Sequence, residues 1–475
     1  MRPHRIALAA LFPVATAAAQ PAPSPAAAPS VPRAVEPPAR PAFQSLRYEE
    51  RWPAGSPGDR LKHLELTPDG RLFLTVGGQL RARGERVTHY LAETGSDRSD
   101  AYGGTRLLVS ADLWWTTRFR GFVEARDAVG HDRELPGGRR TSDHDRWDYQ
   151  NAFVEGRATI AGATVGARVG RQELQLGRER LLGPSDWGNA RRTFDGARAT
   201  LSRGALAVDL FSTRPVLVRS SAGNRADSLT RFHGLLLSGK ARASGRWQGY
   251  LLLLEQDSTR FAGRSGSHRR TTAGLRAEGG LPAVGGLAFA WEGEGALQRG
   301  TLAEAPVRAW FWTGELTARA PRVAWRPSLA AGVDVASGDT DPTDRRAGTF
   351  HQLFPSAHTH GGYADVIGRQ NARELRLVAT AGPVAPLALR AAVHRFDRQA
   401  TTDAAYAKSG AALRSGASGA RHLGTETDLT ATWQMGRHLR LLAGYAHYAP
   451  GRYLHETTGG AHPIDWGFVG TTLTF

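Results

Sequence analysis

Residues 163–201 read ATVGARVGRQELQLGRERLLGPSDWGNARRTFDGARATL, and this stretch decides between two kinds of β-protein. Both of its ends alternate with the period of two that is typical of a β-strand. In residues 165–169 the apolar side chains alternate with Arg168, and in residues 197–201 they alternate with Arg198. A polar loop with one tryptophan separates the two strands. Arginine therefore faces away from the apolar residues in both strands, and the fold depends on which face points inwards.

The N-terminal 45 residues have the features of an export signal followed by a linker. Arg2 and Arg5 precede a short apolar run that ends in three alanines, so we expect residues 1–19 to be a signal peptide cleaved after Ala19. Residues 20–45 are rich in proline and alanine and are expected to form a disordered periplasmic tail. No later stretch has the roughly 20 consecutive apolar residues that a membrane-spanning helix needs.

The composition excludes several classes of site. The chain has 61 Lys and Arg residues, of which only three are lysine, a formal charge of +17 and no cysteine. A disulfide scaffold, a thiolate metal site and a cysteine nucleophile are therefore excluded. The basic residues are spread over many strands, which argues against a nucleic-acid-binding surface. No G-x-S-x-G, H-E-x-x-H or phosphate-binding glycine motif is present, so we expect no enzyme activity, no cofactor and no metal site.

Alternation with a period of two continues through residues 46–475 in about 18 segments of roughly 9 to 13 residues, the length of a tilted transmembrane strand. The connections alternate between short and long, and the chain ends on an aromatic residue, Phe475. These features predict an all-β fold, an antiparallel transmembrane β-barrel with short periplasmic turns and long extracellular loops. Long loops are expected near 86–104, 128–147, 174–192, 214–230, 257–270, 298–306, 336–372, 397–423 and 449–466.

A barrel answers the question of which face points inwards. A closed barrel pairs all of its backbone donors and leaves no edge in lipid. The apolar alternates, including Trp310 and Trp312, should therefore face lipid, and the charged alternates should line a lumen wide enough for an aqueous channel.

Several motifs resemble the alginate-export family of outer-membrane porins. The run GRQELQLGRERLLGPSDWGNARRTFDGAR within residues 163–201 resembles that family, as do residues 74–85, 336–377 and 441–454. The resemblance implies an 18-stranded barrel, monomeric and integral to the outer membrane of a Gram-negative bacterium. It also implies an arginine-rich constriction that passes an anionic polysaccharide. Direction of transport and identity of the cargo stay open.

The expected substrate pathway consists of charged side chains on the lumenal face. Rings of arginine favour the passage of anions, but the same arginines could instead brace the lumen by pairing with acidic residues. In the loop, Trp187, Asn189 and Asp195 could shape a constriction or could simply pack the hairpin. The pathway residues are Arg81, Arg83, Arg106, Arg118, Arg120, Arg168, Arg192, Arg198, Arg276, Arg376, Arg390, Asp112 and Glu124.

The sequence thus favours a passive channel for an alginate-like polysaccharide or for smaller organic anions. The alternatives are a binding or structural barrel that acts through its long loops and has no through-channel, and an outer-membrane hydrolase. Expected partners are the anionic cargo, outer-membrane lipid, the barrel-assembly machinery at Phe475 and periplasmic secretion components. The three aspartates of loop 336–372, at positions 339, 341 and 344, are read as solvated charge rather than as a cation site.

Overall fold

The structure is a computed structural model that describes residues 43–475 apart from four short gaps, which are 55–58, 221, 242–244 and 415–416. The predicted signal peptide and the predicted tail up to residue 42 lie outside the described residues. Residues 43–45, which we assigned to the tail, lie within the described part of the chain.

In the described part of the chain, eighteen antiparallel strands form one closed β-barrel. Each strand pairs with the next along the chain, and the last, β18, returns to the first, β1, with Gln79 opposite Thr474 and Val87 opposite Trp466. The predicted fold is confirmed. The strands are β1 (Leu72–Val87), β2 (Asp100–Trp115), β3 (Phe119–His131), β4 (Asp145–Ile160), β5 (Ala163–Gln172), β6 (Phe194–Arg203), β7 (Leu206–Leu217), β8 (Thr230–Lys240), β9 (Arg246–Phe261), β10 (Arg264–Val284), β11 (Leu287–Leu302), β12 (Ala305–Arg319), β13 (Ser328–Ala336), β14 (Ala372–Val384), β15 (Leu387–Arg398), β16 (His422–Met435), β17 (Leu439–Pro450) and β18 (Ile464–Thr474).

Two short strands and a few short helices lie outside the barrel wall. Leu64–Glu65 pairs with β1, and Arg225–Ala226 pairs with β7. No helix among the described residues is long and apolar enough to cross a membrane. The helices are the 3-10 turns Arg47–Glu49, Tyr90–Ala92, Ser96–Arg98 and Ala357–Thr359 and the α-helix Arg452–Glu456.

The two faces of the wall divide as the alternation predicts. Leu297 and Trp312 are 58% and 45% exposed on the outer face, and Trp310 shares that face, whereas Arg81 and Glu292 are buried on the lumenal face. A lipid-facing surface of large apolar side chains therefore surrounds a charged interior.

The connections differ at the two ends of the barrel, and two of the predicted long loops are wrong. The turns 262–263 and 303–304 are only two residues long, because β9 to β12 continue through the ranges 257–270 and 298–306. In this raised part of the wall the polarity is reversed. Leu302 is buried on the inner face, and Arg299 is exposed on the outer face. The lipid-facing pattern used for prediction therefore stops before the strands do.

Candidate functional site

Two long loops fold into the lumen and join there. The β5–β6 loop, residues 173–193, runs beside the β13–β14 loop, residues 337–371. Gly183 N donates to Phe354 O over 3.0 Å, Phe354 N donates to Leu181 O over 2.9 Å, and Ser356 N donates to Glu179 O over 3.0 Å. Since backbone hydrogen bonds link them, the two loops form one partition inside the barrel.

An apolar cluster fixes this partition to the raised wall. Phe350 and Leu182 of the two loops are fully buried with Phe311 of β12 and Leu302 of β11. Burying side chains of this size contributes about 1.5–3 kcal/mol each. The two-residue turns and the inward loops are thus parts of one packing unit.

Arginines of β1 hold the tryptophan loop. Arg81 donates to the backbone carbonyls of residues 186–188 over 2.6, 3.0 and 2.8 Å and to Asn189 Oδ1 over 2.8 Å. Arg83 Nη1 donates to Trp187 O over 2.7 Å, and its guanidinium lies 3.9 Å from the centre of the Trp187 ring. Both arginines therefore donate hydrogen bonds to the protein's own loop in this structure.

The loop carboxylate Asp186 is surrounded by guanidinium groups. Its Oδ1 accepts hydrogen bonds from Arg106 Nη2 and from Arg191 Nη1, both over 2.9 Å. Burial alone would raise the pKa of Asp186, but Arg106, Arg191 and Arg81 together hold it well below its usual range. Asp186 is therefore ionised at any physiological pH and fixes the loop to the β2 wall.

The Trp187 ring lies at the junction of the partition and the wall. It stacks on His358 of the second loop at 3.8 Å between ring centres, and it meets Trp466 and Phe468 of β18 edge-on at 5.4 and 5.0 Å. Aromatic pairs in these arrangements add about 0.5–1.5 kcal/mol each beyond their buried area. Trp187 therefore packs between the second loop and β18 inside the barrel, and its role in a constriction stays a prediction.

Arg192 donates its hydrogen bonds to backbone carbonyls, and its guanidinium lies 5.7 Å from the centre of the Phe354 ring. Its Nη1 donates to the carbonyls of Gly183, Phe354 and Pro355 over 3.0, 2.6 and 2.9 Å. Burial lowers the pKa of Arg192 to about 10. This residue joins the two loops.

Most of the other predicted pathway arginines are paired with acidic residues of the wall. Glu124 accepts a hydrogen bond from Asn151 Nδ2 over 2.8 Å. Among the buried side chains of the described residues, thirteen are arginine and thirteen are aspartate or glutamate. The buried lumen is therefore balanced in charge rather than strongly basic. The pairs are Arg120–Asp112, Arg168–Glu155, Arg198–Asp209, Arg276–Glu292, Arg376–Glu315 and Arg390–Asp428.

Two predicted site residues lie elsewhere. Arg118 is exposed in the turn between β2 and β3, and its carbonyl accepts from Arg157 N. Asp195 lies on the outer face of β6, where Arg171 Nε donates to it over 2.8 Å. The prediction of a lumenal Arg118 is wrong because β3 begins one residue later, at Phe119. The loop position predicted for Asp195 is wrong because β6 has already begun at Phe194.

A segment that the sequence reasoning missed occupies the lumen near the short turns. Tyr48 is 1% exposed, and its hydroxyl donates to Glu173 O over 2.6 Å at the start of the tryptophan loop. Its ring packs edge-on against Phe122 and Phe153 of the wall at 5.9 and 5.4 Å. The guanidinium carbon of Arg168 lies 4.4 Å from the centre of the Tyr48 ring. The sequence of this N-terminal segment, residues 43–52, shows no alternation and so carries no signal of its position in the lumen.

A cavity of about 260 Å³ lies between this N-terminal segment and strands β4 to β6. Of the described residues, four arginines and two carboxylates, Glu49 and Glu155, line it. Arg168 Nη1 is buried there with no hydrogen-bond partner among the described residues. The other arginines that line the cavity are Arg51, Arg157 and Arg198.

Arg51 carries the least compensated charge of the cavity. Its Nη1 donates to the Tyr48 and Glu50 carbonyls over 3.2 and 3.0 Å, and no carboxylate of the described residues forms an ion pair with it. Partial burial, with repulsion from Arg157 and Arg120, lowers the pKa of Arg51. An anion placed here would relieve that repulsion.

Arg180 is another residue that the reasoning missed. Its Nη1 lies 3.2 Å from Glu294 Oε2, and Arg369 Nη1 donates to its carbonyl over 3.1 Å. Loop residues have no periodic pattern that would predict which way a side chain points. The one available signal was that Arg180 lies in the GRERLL run of the family-like stretch. In the described part of the chain, no group of three or more His, Asp or Glu side chains is placed to hold a metal ion.

Comparisons with known proteins agree with this architecture. The family model described as Alginate export matches residues 73–468. The solved barrels that resemble the chain include Acinetobacter baumannii OccAB3, with 12% identity, a TM-score of 0.59 and coverage of 84% of this chain and 99% of that one. Pseudomonas aeruginosa OccK9 (OpdG) has 14% identity and a TM-score of 0.58, and the match covers 85% of this chain and 98% of that one. Pseudomonas aeruginosa OpdK with vanillate has 12% identity and a TM-score of 0.55, with coverage of 84% of this chain and 98% of that one. No curated protein sequence matches.

These structural neighbours share the fold of outer-membrane porins. The family model covers more than four fifths of the chain. The protein therefore belongs to the Alginate export family and is an integral β-barrel of the outer membrane.

Proposed function

We propose that this protein is a gated, non-enzymatic outer-membrane channel that conducts organic anions, alginate-like polysaccharides among them, by passive diffusion. The observation that carries the proposal is the cavity at the short-turn mouth. Four arginines face two carboxylates there, and Arg168 keeps one unpaired donor. Guanidinium groups bind carboxylates through paired hydrogen bonds, so a sugar acid or another carboxylate suits this cavity.

Family membership supports the same proposal. The Alginate export model spans almost the whole barrel. The solved structure of OpdK holds vanillate, which is an aromatic carboxylate. Both comparisons agree with a carboxylate-bearing cargo. A uronate polymer and a small organic acid both present carboxylate groups, so an arginine cluster could bind either one.

The partition inside the barrel implies gating. Loops 173–193 and 337–371 and the N-terminal segment all occupy the lumen; the segment contacts loop 173–193, which is hydrogen-bonded to loop 337–371. In our proposal this arrangement is the resting state, and displacement of the N-terminal segment or of the loops widens the path. The arginines of β1 and β2 that now hold the tryptophan loop then become available to the cargo.

The second candidate function is a barrel that acts through its long loops and has no through-channel. The observation that favours it is the balance of buried arginine and acid together with the inward loops. Electrical recording in planar bilayers separates the two. We expect channel events with anion selectivity, and we expect conductance to rise when residues 43–52 are deleted. Cation selectivity, or silence of both the full chain and the deletion variant after correct folding, would falsify the channel.

Four further parts of the proposal concern partners. We propose that the protein is a monomer, that its outer face contacts outer-membrane lipid, that the assembly machinery recognises the strand ending at Phe475, and that periplasmic secretion components meet the short-turn mouth. The exposed apolar outer face and the terminal aromatic residue support the second and third parts.

A further inference from the structure

The raised wall of β10 to β12 carries arginines on its outer face. Arg299 and Arg308 are both exposed and lie directly opposite each other in the β11–β12 register. Side chains directly opposite in an antiparallel pair have Cβ atoms about 4.5–5.5 Å apart, and like charges there repel. Within the described residues no carboxylate forms an ion pair with either one, and Arg299 Nη1 donates to the carbonyl of Gln298 over 2.9 Å. The pair is therefore an uncompensated concentration of positive charge.

Two further arginines flank this pair. Arg269 of β10 lies diagonally from Arg299, because Thr301 is the residue opposite Arg269. Its side chain is 68% exposed and pairs with Glu255. On the other side, the loop strand at Ala347 is hydrogen-bonded to Pro306 O and Arg308 N. That strand brings the half-exposed Arg346, whose Nη1 lies 3.6 Å from Asp344 Oδ2, beside β12.

The position of the arginines relative to the lipid belt is defined by the register. One outward pair nearer the membrane is Leu297 opposite Trp310, and the next is Gly295 opposite Trp312. Two residues along a strand span about 7 Å. Tryptophan is typical of the level where hydrocarbon meets headgroups, so the arginine pair lies at headgroup height, at the long-loop end of the barrel.

We propose that Arg299 and Arg308, with Arg269 and Arg346 beside them, bind the phosphate groups of a phosphorylated glycolipid in the outer leaflet. Long loops face the cell exterior in barrels of this class, which places the cluster in that leaflet. A phosphate accepts paired hydrogen bonds from guanidinium. One phosphate between the two arginines therefore removes their mutual repulsion, while the acyl chains lie against Leu297 and the tryptophans.

The test uses the full-length protein in detergent, titrated with diphosphoryl lipid A and followed by native mass spectrometry. For the double variant Arg299→Gln/Arg308→Gln we expect the affinity for this lipid to fall by about tenfold or more, since each arginine near a charged surface contributes to attraction. Arg308→Lys keeps the charge and should retain most of the binding. Phosphatidylcholine and lipid A lacking both phosphates should bind weakly to every form.

The matched control is Arg231→Gln/Arg395→Gln. Both residues face outwards and have carboxylate partners, Asp257 at 3.5 Å and Asp397 at 3.1 Å. This control variant loses the same amount of positive charge, and its affinity for diphosphoryl lipid A should stay within about twofold of the parent value. Equal losses in the two double variants, equal binding of dephosphorylated lipid A, or displacement of the lipid by inorganic phosphate alone would each overturn the proposal. Heat-modifiable migration on gels establishes that each variant has folded.

Discussion

At the scale of single residues, Trp187 joins elements that are distant in sequence. It contacts Arg83 of β1, His358 of the second loop and two aromatic residues of β18. Trp187→Ala should weaken the partition by about 3 kcal/mol, at the lower end for tryptophan because the side chain is only partly buried. The measurement is single-channel conductance, which we expect to rise as the open population grows.

Trp312→Ala is the control for Trp187→Ala. It removes an equal side chain from the lipid-facing surface and should leave conductance unchanged. If Trp187→Ala leaves the conductance at the value of the parent protein, Trp187 does not hold a gate.

A second residue-scale prediction concerns the buried pair of Arg120 and Asp112. Arg120 Nε and Nη2 donate to the two carboxylate oxygens of Asp112 over 2.6 and 2.7 Å, and Arg120 also lies 4.9 Å from the Trp114 ring. Asp112→Asn leaves a buried guanidinium without its counter-charge, so we expect unfolding in denaturant to be easier by about 3–5 kcal/mol. The double variant Asp112→Leu/Arg120→Met should be less destabilised than Asp112→Asn. The reverse order would show that the pair itself stabilises the wall.

At the scale of elements, the N-terminal segment makes a prediction about access. Because the chain has no cysteine, Tyr48→Cys carries a unique thiol at a site that the parent structure buries. We expect slow labelling by a small maleimide in the resting protein, and faster labelling when Arg168→Gln removes one of its contacts. The control thiol, Thr117→Cys at an exposed position of the β2–β3 turn, should label fast in both backgrounds. Equally fast labelling at both positions would mean that the segment does not reside in the lumen.

Three histidines of the loop 337–371 should make the stability of the packed loop depend on pH. Burial lowers the pKa of His351 and His360 well below the usual value, with repulsion from Arg270 and Arg369 respectively. Burial also lowers the pKa of His358, although Asp365 opposes the shift. A withdrawn loop therefore binds more protons than the packed loop. The packed loop loses stability as the pH falls through about 6.5, and it keeps its stability above that value.

Conductance should accordingly rise between neutral pH and about pH 5. The variant with all three histidines replaced by glutamine should show a much flatter response, provided that gel migration confirms folding. A rise of the same size in that variant would assign the pH response to other groups.

The elements also show how far the sequence could predict this structure. The alternation in residues 165–169 and 197–201 defined β5 and β6 and their lumenal arginines correctly, because one face of each strand meets lipid. The same pattern failed for β9 to β12 above the membrane, where Leu302 points inwards and Arg299 points outwards. It could not place Tyr48 or Arg191 either, since inward loops are fixed by long-range contacts and have no period of their own.

At the scale of the whole molecule, the distribution of charge differs from what the composition suggests. The formal charge is +17, yet the buried arginines and acids of the described residues are equal in number. Within the described residues, most of the excess positive charge is therefore carried by arginines that are exposed or half-buried. In our proposal it attracts anions to the cavity beside Arg51 and lipid phosphates to Arg299, while the paired interior supports the wall.

The barrel closes where its last strand, β18, pairs with its first strand, β1. Phe475 N donates to Gly78 O over 3.0 Å, Gly78 N donates to Phe475 O over 2.8 Å, and Lys62 Nζ lies 3.4 Å from the same oxygen. A Cβ added at Gly78 would lie 2.5 Å from the Phe475 ring and 2.4 Å from the Leu108 carbonyl. The last residue of the chain thus fills space that only glycine leaves open.

Gly78→Val should therefore impair assembly even though valine favours strands, because the clash at Leu108 O involves backbone that cannot move aside. Gly121→Val is the control, since an added Cβ meets nothing within 4 Å at that position. The measurement is the yield of heat-modifiable barrel in outer-membrane fractions, which should fall for Gly78→Val and stay near the parent level for Gly121→Val. Combining Gly78→Val with Phe475→Ala should restore little, because the carbonyl clash remains and because the terminal aromatic residue that we propose the assembly machinery recognises is lost as well. Full recovery in that double variant would locate the obstruction in the aromatic ring alone.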